Sequence, residues 1–545
     1  MEESTNLMLA LFGLILIQYL LLNLVRFLKR YWWDPIRITK FMEKQGIRGP
    51  PYKFLHGSTA EANELMASSM AMPMELSHDV LSKIQPHFHS WIKLYGIDPL
   101  IPLFDPLLSE FFFLNIYETG RNILTWHGPT PRLVVGEPEL AKEILSDRDG
   151  LFPKYEPPVF MKKLLGDGLV TSTGQKWARQ RKLATQAFHT ENLKGMIPKV
   201  IASVESMLEN WIKLDGKEVD FFKDFTILTS EIISRTSFGS SYIEGKEIFT
   251  KIDELTLIAA RNFETVRLPL LRMIFTYRKL VRNKDEVEAE KIEQDIKASV
   301  LKLIMAREKR KESGDGDDYG DDLLGSFMRA HHETGSITVD DIVDECKTFY
   351  FAGQETSSIM LSWASFLLAI NTDWQDKVRM EVKQLFGDRS PSSEDSAAIA
   401  RLKTMTMVLN EALRLYPPIL NVLRTVARDC KVGDVLLPKG MHIQISQLVV
   451  HHDPSTWGDE GQLFSPEKFA DGVAGATASG AAFFPFGFGP RFCVGQGLAM
   501  LEAKVALAMI LQRYSFTLSP AYAHSPVSRL TCRPLHGIQA VLKRL

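Results

Sequence analysis

Cysteine is scarce in this chain: its 545 residues hold only Cys346, Cys430, Cys493 and Cys532. No two of them stand at the CxxC spacing of a zinc site, and four are too few to staple a disulfide scaffold. A reducing compartment is therefore expected, and a cysteine in unusual surroundings is a candidate for chemistry. Charge of one sign is missing as well. Lys+Arg 64 against Asp+Glu 66 leaves a net charge of −2, with no broad basic field, so nucleic acid is not an expected partner. There is no GxGxxG after a strand and no P-loop, hence no visible nicotinamide, flavin or nucleotide site. Nor is there an internal repeat. Hydrophobic residues at 45% and charged residues at 24% exclude a disordered or collagenous chain and allow a large core.

Long hydrophobic runs are also rare, and the exception is at the N-terminus. Residues 4–25 carry no charge, and at about 1.5 Å per helical residue they reach roughly 33 Å, enough for a hydrocarbon core of about 30 Å. Glu2 and Glu3 precede the run and Arg26, Lys29 and Arg30 follow it, an asymmetry that leaves the body on the cytosolic side. Trp32 and Trp33 stand where an aromatic belt is expected. The run is too long for a cleaved signal peptide and lacks the small residues of a cleavage site. Pro50 and Pro51 after Gly49 cannot continue a helix and read as a stiff elbow. The expected organisation is an anchor over 1–30, a proline-containing hinge over 31–58 and one domain over 59–545.

In the body, apolar residues recur at helical spacing over 200–214, 248–262, 285–309, 342–371, 374–385 and 398–416. Strand-like pieces are short: 132–135, 432–437 and 442–449. The acidic, glycine-rich run 312–322 reads as a solvated loop. A mainly α fold with small β-sheets is expected.

The segment 483–499 reads FFPFGFGPRFCVGQGLA. Its glycines and prolines give way to a helix-forming stretch from Gly495, so Cys493 lies where a tight loop meets a helix N-terminus, a place that favours a thiolate and a lowered pKa. Such a sulfur is a metal ligand or a nucleophile, and no local motif supplies the base that a nucleophile requires.

Phe486, Gly489, Arg491, Cys493 and Gly495 resemble, at every fixed position, the FxxGxRxCxG loop of the haem-thiolate monooxygenases, the cytochrome P450 family. The resemblance implies that Cys493 is the proximal ligand to the iron of haem b (iron protoporphyrin IX). It is reinforced along the chain. Ala352, Gly353, Glu355 and Thr356 look like the family's AGx(D/E)T element. There Thr356 is implied to hold water or oxygen by hydrogen bonds and Glu355 to relay protons, while glycine, about 1 kcal/mol worse than alanine in mid-helix, makes room for a diatomic ligand. Glu411 and Arg414 match ExxR, whose buried pair is completed in the family by an arginine; Lys468 stands in that place and brings charge without the planar fork. Trp177 and Arg181 match WxxxR and, with Arg491 and Arg424, are implied to meet the haem propionates. Segments such as WWDPIR and PMELSHD resemble the plant seventy-two clan.

The implied activity is insertion of one oxygen atom of O2 into a lipophilic small molecule, terpenoid or hormone-like, fatty acid or xenobiotic. The implied electron donor is NADPH-cytochrome P450 reductase in the same endoplasmic reticulum membrane. An apolar pocket is expected from 152–169, Phe349 and 420–422. An O2-independent haem-thiolate isomerase or dehydratase is the nearest rival reading, and Thr356 argues against it because such enzymes lack that alcohol. A non-catalytic haem-binding membrane protein is the other. One departure from the family pattern is 97–120, with Asp98, Asp105, Glu110 and Glu118: either a surface insertion against the membrane or translated intron.

Overall fold

The structure is a computed structural model that describes residues 2–96, 121–240, 242–266, 283–313, 319–477 and 480–545. The departure at 97–120 lies outside the described residues, as does 314–318 of the acidic loop.

The first helix, Glu2–Leu28, passes through a π-helical turn at Lys29–Trp33 into the helix Asp34–Glu43, which Pro35 can open because a first-turn N–H needs no partner. Its apolar stretch, within Thr5–Glu43, is long enough to cross a membrane, and none of it is buried against the rest of the protein. It is thus an uncovered apolar rod consistent with membrane anchoring. The base of this rod is docked rather than loose: Gln45 exchanges hydrogen bonds with the Leu436 backbone (2.7 and 3.2 Å), before Pro50 and Pro51 turn the chain.

The body is built around the helix Val339–Ile370, whose 32 residues span about 48 Å. It starts on a capping box, with Thr338 Oγ1 accepting from the Asp341 N–H (3.1 Å) and Asp341 Oδ2 accepting from the Thr338 N–H (2.9 Å). From Ile342 onward nearly every turn is buried on all sides, as expected of a helix without a solvated face. The helix Phe221–Ser237 packs along it, close enough for Thr229 Oγ1 to donate to the Gln354 carbonyl at 2.9 Å. That approach explains Gly353. The helix runs unbroken through Ala352–Ser357, and a Cβ on Gly353 would lie 2.6 Å from Ile233 Cδ1. Close helix packing, rather than a loosened turn, is what demands glycine here. Helix propensity alone makes Gly353→Ala stabilising by about 1 kcal/mol, whereas overpacking costs about 1–3 kcal/mol. Net destabilisation in thermal unfolding is expected, with part recovered in Gly353→Ala/Ile233→Ala; a stabilised single variant would show that Ile233 does not set the residue.

A four-stranded sheet runs in the order Ile123–His127, Thr130–Val135, His442–Ser446, Asn421–Thr425, with the middle pair parallel and the outer pairs antiparallel. Smaller sheets join Glu218–Asp220, Gln539–Arg544 and Tyr514–Leu518, and Pro526–Arg529 with Thr531–Pro534. Three sequence expectations shift in detail. The run 432–437 is a hairpin, Cys430–Val432 against Val435–Leu437, turning at Gly433 (φ +52°). The run 442–449 leaves the sheet at Ser446, whose Oγ caps a short helix, Gln447–His451. The run 398–416 divides into Ser396–Ala400 and Lys403–Leu415.

Candidate active site

The cysteine loop is held by its own backbone. The Cys493 N–H donates to the Phe486 carbonyl (2.8 Å) and the Gly487 N–H to the Phe484 carbonyl (2.8 Å). Gly489 sits at φ +68°, where a Cβ would fall 2.2 Å from the Leu145 carbonyl oxygen, so only glycine lets the loop pass the neighbouring chain. A single 3-10 turn, Gly489–Arg491, precedes Cys493, and the helix Gln496–Arg513 starts from Gly495. Cys493 therefore stands at a helix entrance, as the sequence suggests.

Its surroundings correct one expectation. Cys493 is accessible only because it opens onto an interior cavity of about 550 Å3. Burial pushes its thiol above the ordinary value, outweighing the N–H groups of Gly495 and Gln496 and the charge of Arg181 that favour a thiolate. The helix entrance alone does not ionise the sulfur. A metal cation bound there would, since a coordinating thiol is deprotonated outright.

Around the same cavity are Arg181, Arg424, Arg491 and Lys154. Arg181 donates to the Phe492 carbonyl (2.5 Å), binding the helix Gly174–Ala187 to the cysteine loop. The Arg491 guanidinium lies 4.1 Å over the Trp177 ring, and its buried Nη1 has no partner among the described residues. Arg424 spends one donor on the Leu423 carbonyl (2.9 Å) and is bridged through its backbone to Lys154. No carboxylate forms an ion pair with any of these cations among the described residues. Their crowding is visible in their chemistry: burial, then Arg424 and Arg491, push Lys154 down to about 7, and burial, then Arg424 and Arg181, push Arg491 down to about 10. Such a cluster calls for a dianion, and the two propionates of a haem fit it, with Cys493 placed to reach the iron. Lys154 was not found from sequence, because nothing local distinguishes it; only its bridge to Arg424 brings it to the site.

On the opposite wall, Ala352, Gly353 and Thr356 line the cavity. Thr356 Oγ1 donates to the Ala352 carbonyl (2.8 Å), so its lone pairs remain to accept a hydrogen bond from the cavity side. Glu355 is placed differently. Its carboxylate is clamped by Arg533 Nε and Nη2 (2.5 Å each) and by the Thr531 hydroxyl (2.5 Å), and it does not itself line the cavity. Thr531 does, so Glu355 meets the cavity only through that hydroxyl. Glu502, unmarked by sequence reading, is a second buried carboxyl lining the cavity; burial pushes it up to about 8, against a hydrogen bond with Ser357. Burial thus favours its neutral form.

Glu411 and Arg414 form a bidentate pair (2.7 and 2.7 Å), both side chains fully buried. Lys468, in the turn Pro466–Phe469, feels the Glu411 charge but makes no hydrogen bond or ion pair with Glu411 or Arg414 among the described residues; the remaining bonds come from backbone groups, with the Ser465 N–H donating to Glu411 (2.9 Å) and Arg414 donating to the His451 and Leu463 carbonyls (3.1 and 3.3 Å). Of the expected pocket wall, Tyr155, Met161, Leu169, Phe349 and Val422 line the cavity, whereas Phe152 and Leu420 lie in the core.

Comparison with known proteins agrees with this geometry. The Cytochrome P450 family model matches residues 86–534. "Cytochrome P450 CYP749A22" of Panax ginseng is 47% identical over 533 residues, 97% of this chain and 95% of the relative. "Cytochrome P450 CYP72A616" of Paris polyphylla is 40% identical over 528 residues, 94% and 95% of the two chains. "Secologanin synthase 2" of Catharanthus roseus is 35% identical over 527 residues, 94% and 93%. With a cysteine loop, a cation cluster suited to propionates and a hydroxyl-bearing helix across one cavity, the chain belongs to the cytochrome P450 family: it is a haem b-dependent monooxygenase of the plant seventy-two clan.

Proposed function

We propose that this monooxygenase is a single-pass protein of the endoplasmic reticulum membrane, its catalytic domain cytosolic, that hydroxylates a lipophilic small molecule of terpenoid or hormone-like type. Electrons come from NADPH through a partner flavoprotein reductase. The observation that carries the reading is one cavity that has Cys493 on one wall, Thr356 on another and a mostly apolar lining between them, reached from a body tethered by an uncovered apolar helix. The relatives named secologanin synthase support the terpenoid class.

When bound, the haem supplies the iron chemistry that activates O2 and delivers one oxygen atom to a C–H bond. The chain does the rest. Cys493 would give the thiolate, and Arg491, Arg424, Arg181 and Lys154 would hold the propionates, with Arg491 steadied by the Trp177 ring beneath it. Thr356 would accept from, or reorient to donate to, a water on the oxygen side, and Thr531, hydrogen-bonded to Glu355, adds a second hydroxyl to the same cavity. Apolar residues such as Phe349 and Leu169 exclude other water.

The purified protein, reduced and exposed to carbon monoxide, is expected to show the strongly red-shifted Soret band of thiolate ligation. With reductase, NADPH and O2 it is expected to hydroxylate members of a terpenoid panel. A normal band with no product from any lipophilic compound would refute the substrate class. Thr356→Ala should lower product formed per NADPH by at least about tenfold, the scale of a lost proton-transfer group, with hydrogen peroxide appearing instead; Thr356→Ser should restore coupling. Unchanged coupling in the alanine variant would remove Thr356 from the mechanism.

A further inference from the structure

One face of the four-stranded sheet departs from the usual rule for a buried surface. Thr125 pairs with Arg132 and Arg132 with His442, while Leu423 pairs with Gln444 and Asn421 with Ser446. Because side chains alternate along each strand, Thr125, His127, Arg132, His442, Gln444 and Asn421 fall on one face, where they outnumber the apolar Ile123, Val134 and Leu423. The other face is apolar at Leu124, Leu133 and Ile443, which lie in the core, and carries Arg424 at its edge strand. Enclosed side chains are ordinarily apolar, so this run of polar residues on a buried face needs a reason.

Part of this face is a wall of the cavity that also contains Cys493. Thr125, His127, Arg132 and Gln444 line it, together with His87 from the helix Pro86–Tyr95 and Glu264 from beyond Tyr242–Asn262. Glu264 accepts from Arg132 (3.3 Å) and meets His127 Nδ1 (3.2 Å), and Arg132 also donates to Gln444 Oε1 (2.9 Å). Burial works against the Glu264 carboxylate, but Arg132 and His127 outweigh it and keep it ionised. The single guanidinium charge is thereby cancelled. Burial also keeps His87 neutral, down to about 4. Among the described residues three polar atoms here are fully enclosed with no partner, His87 Nδ1, Arg132 Nε and His442 Nδ1, and neither His87 Nε2 nor Arg132 Nη2, on the lining residues, makes a hydrogen bond.

We propose that this wall is a substrate subsite for a neutral oxygen function, a hydroxyl or carbonyl, carried on an otherwise apolar skeleton. The unused Nη2 of Arg132 can donate, and the imidazole of His87 accepts or donates according to its tautomer, so a hydroxyl suits either group. A carboxylate would meet Glu264 with no spare cation, and an ammonium would meet Arg132. No element that carries the wall carries the cysteine loop, so a molecule anchored here by its oxygen offers the haem a different carbon, which makes the wall a determinant of regiochemistry. The inference rests on the lipophilic-substrate reading above and deepens it.

The test is equilibrium titration of the haem-loaded protein, followed by the absorption change when a ligand displaces the distal water, with matched pairs: cholestanol against cholestane, and borneol against bornane, in detergent. The alcohol of at least one pair is expected to bind about tenfold or more tightly than its hydrocarbon, because a site built to hydrogen-bond an OH penalises the analogue that lacks it. In His87→Phe, and in Arg132→Met/Glu264→Leu, which removes both charges together, that preference should collapse toward unity while the hydrocarbon still binds. The red-shifted carbonyl band certifies the fold of each variant. Equal binding of alcohol and hydrocarbon by the unaltered protein, or a preference that survives in both variants, overturns the subsite alone. Tighter binding of cholanic acid than of the alcohols overturns its neutral character. If no member of either pair perturbs the haem, the lipophilic-substrate reading falls and the subsite with it.

Discussion

Cys493→Ala is expected to abolish O2-dependent turnover and the red-shifted carbonyl band while leaving the protein folded. The sulfur has no understudy. Cys346 and Cys532 are buried in the core, where burial drives their thiols far up, and Cys430 belongs to the hairpin Cys430–Val432/Val435–Leu437, away from the cavity lining. Structurally, by contrast, the thiol meets the N–H groups of Gly495 and Gln496 but does not close the loop. The loop is closed by the Cys493 N–H on the Phe486 carbonyl and braced by Arg181 on the Phe492 carbonyl, and alanine keeps both contacts. The cation cluster still offers its donors to the propionates, so haem retention and thiolate ligation separate: the variant is expected to bind porphyrin, yet to show a carbonyl band without the thiolate shift. Absorption spectra and far-UV circular dichroism check the two halves. A red-shifted band that persists in the alanine protein would mean that another group holds the iron.

The same separation marks what could be read from the sequence. The cysteine loop, the Ala352–Thr356 element and the Glu411–Arg414 pair are local: each is fixed by spacing within one loop or one helix, and each is found in place in the structure. What escaped depends on chain segments far apart. Glu355 is a plausible proton carrier from its helix alone, but its partner Arg533 is 178 residues away, and that contact decides where the carboxylate points. Lys154 acquires its role only from Arg424 on the edge strand Asn421–Thr425. The polar wall joins Thr125, Arg132 and Gln444, residues whose common face exists only once the sheet register is known. The thiol's pKa escapes the sequence for a related reason: dipole and N–H groups are local, whereas burial is a property of the assembled cavity and wins. The hairpin at 432–437 is the exception, a miss with a local signal: Gly433-Asp434 interrupts the apolar run with residues suited to a tight turn.

Glu411→Ala is expected to be the most destabilising single substitution outside the cysteine loop. An exposed pair three residues apart on a helix contributes a few tenths of a kcal/mol, but both of these side chains are 0% exposed. Removing the carboxylate leaves a guanidinium buried without its counter-charge, a loss of about 3–5 kcal/mol, set against the roughly 5–15 kcal/mol that holds a whole domain together. Backbone carbonyls of His451 and Leu463 satisfy some of Arg414's donors but cannot neutralise it. The damage also has a route to the haem. His451, whose carbonyl accepts from Arg414, receives the Phe484 N–H on its Nε2 (3.1 Å), and the Phe484 carbonyl accepts from Gly487 within the cysteine loop (2.8 Å) and from Gln447 (3.0 Å). Haem content should therefore fall along with the denaturation midpoint. Arg414→Lys is expected to lose much of the same stability, since an ammonium keeps the charge but cannot fork across both carboxylate oxygens. The informative control is Glu411→Leu/Arg414→Met. It removes both charges, and because the cost of the single change is mainly the orphaned partner, the double variant should be more stable than Glu411→Ala. Denaturant unfolding of the three proteins checks the order. A double variant no better than the single would show that the pair is held by its backbone bonds to Ser465, His451 and Leu463 rather than by charge.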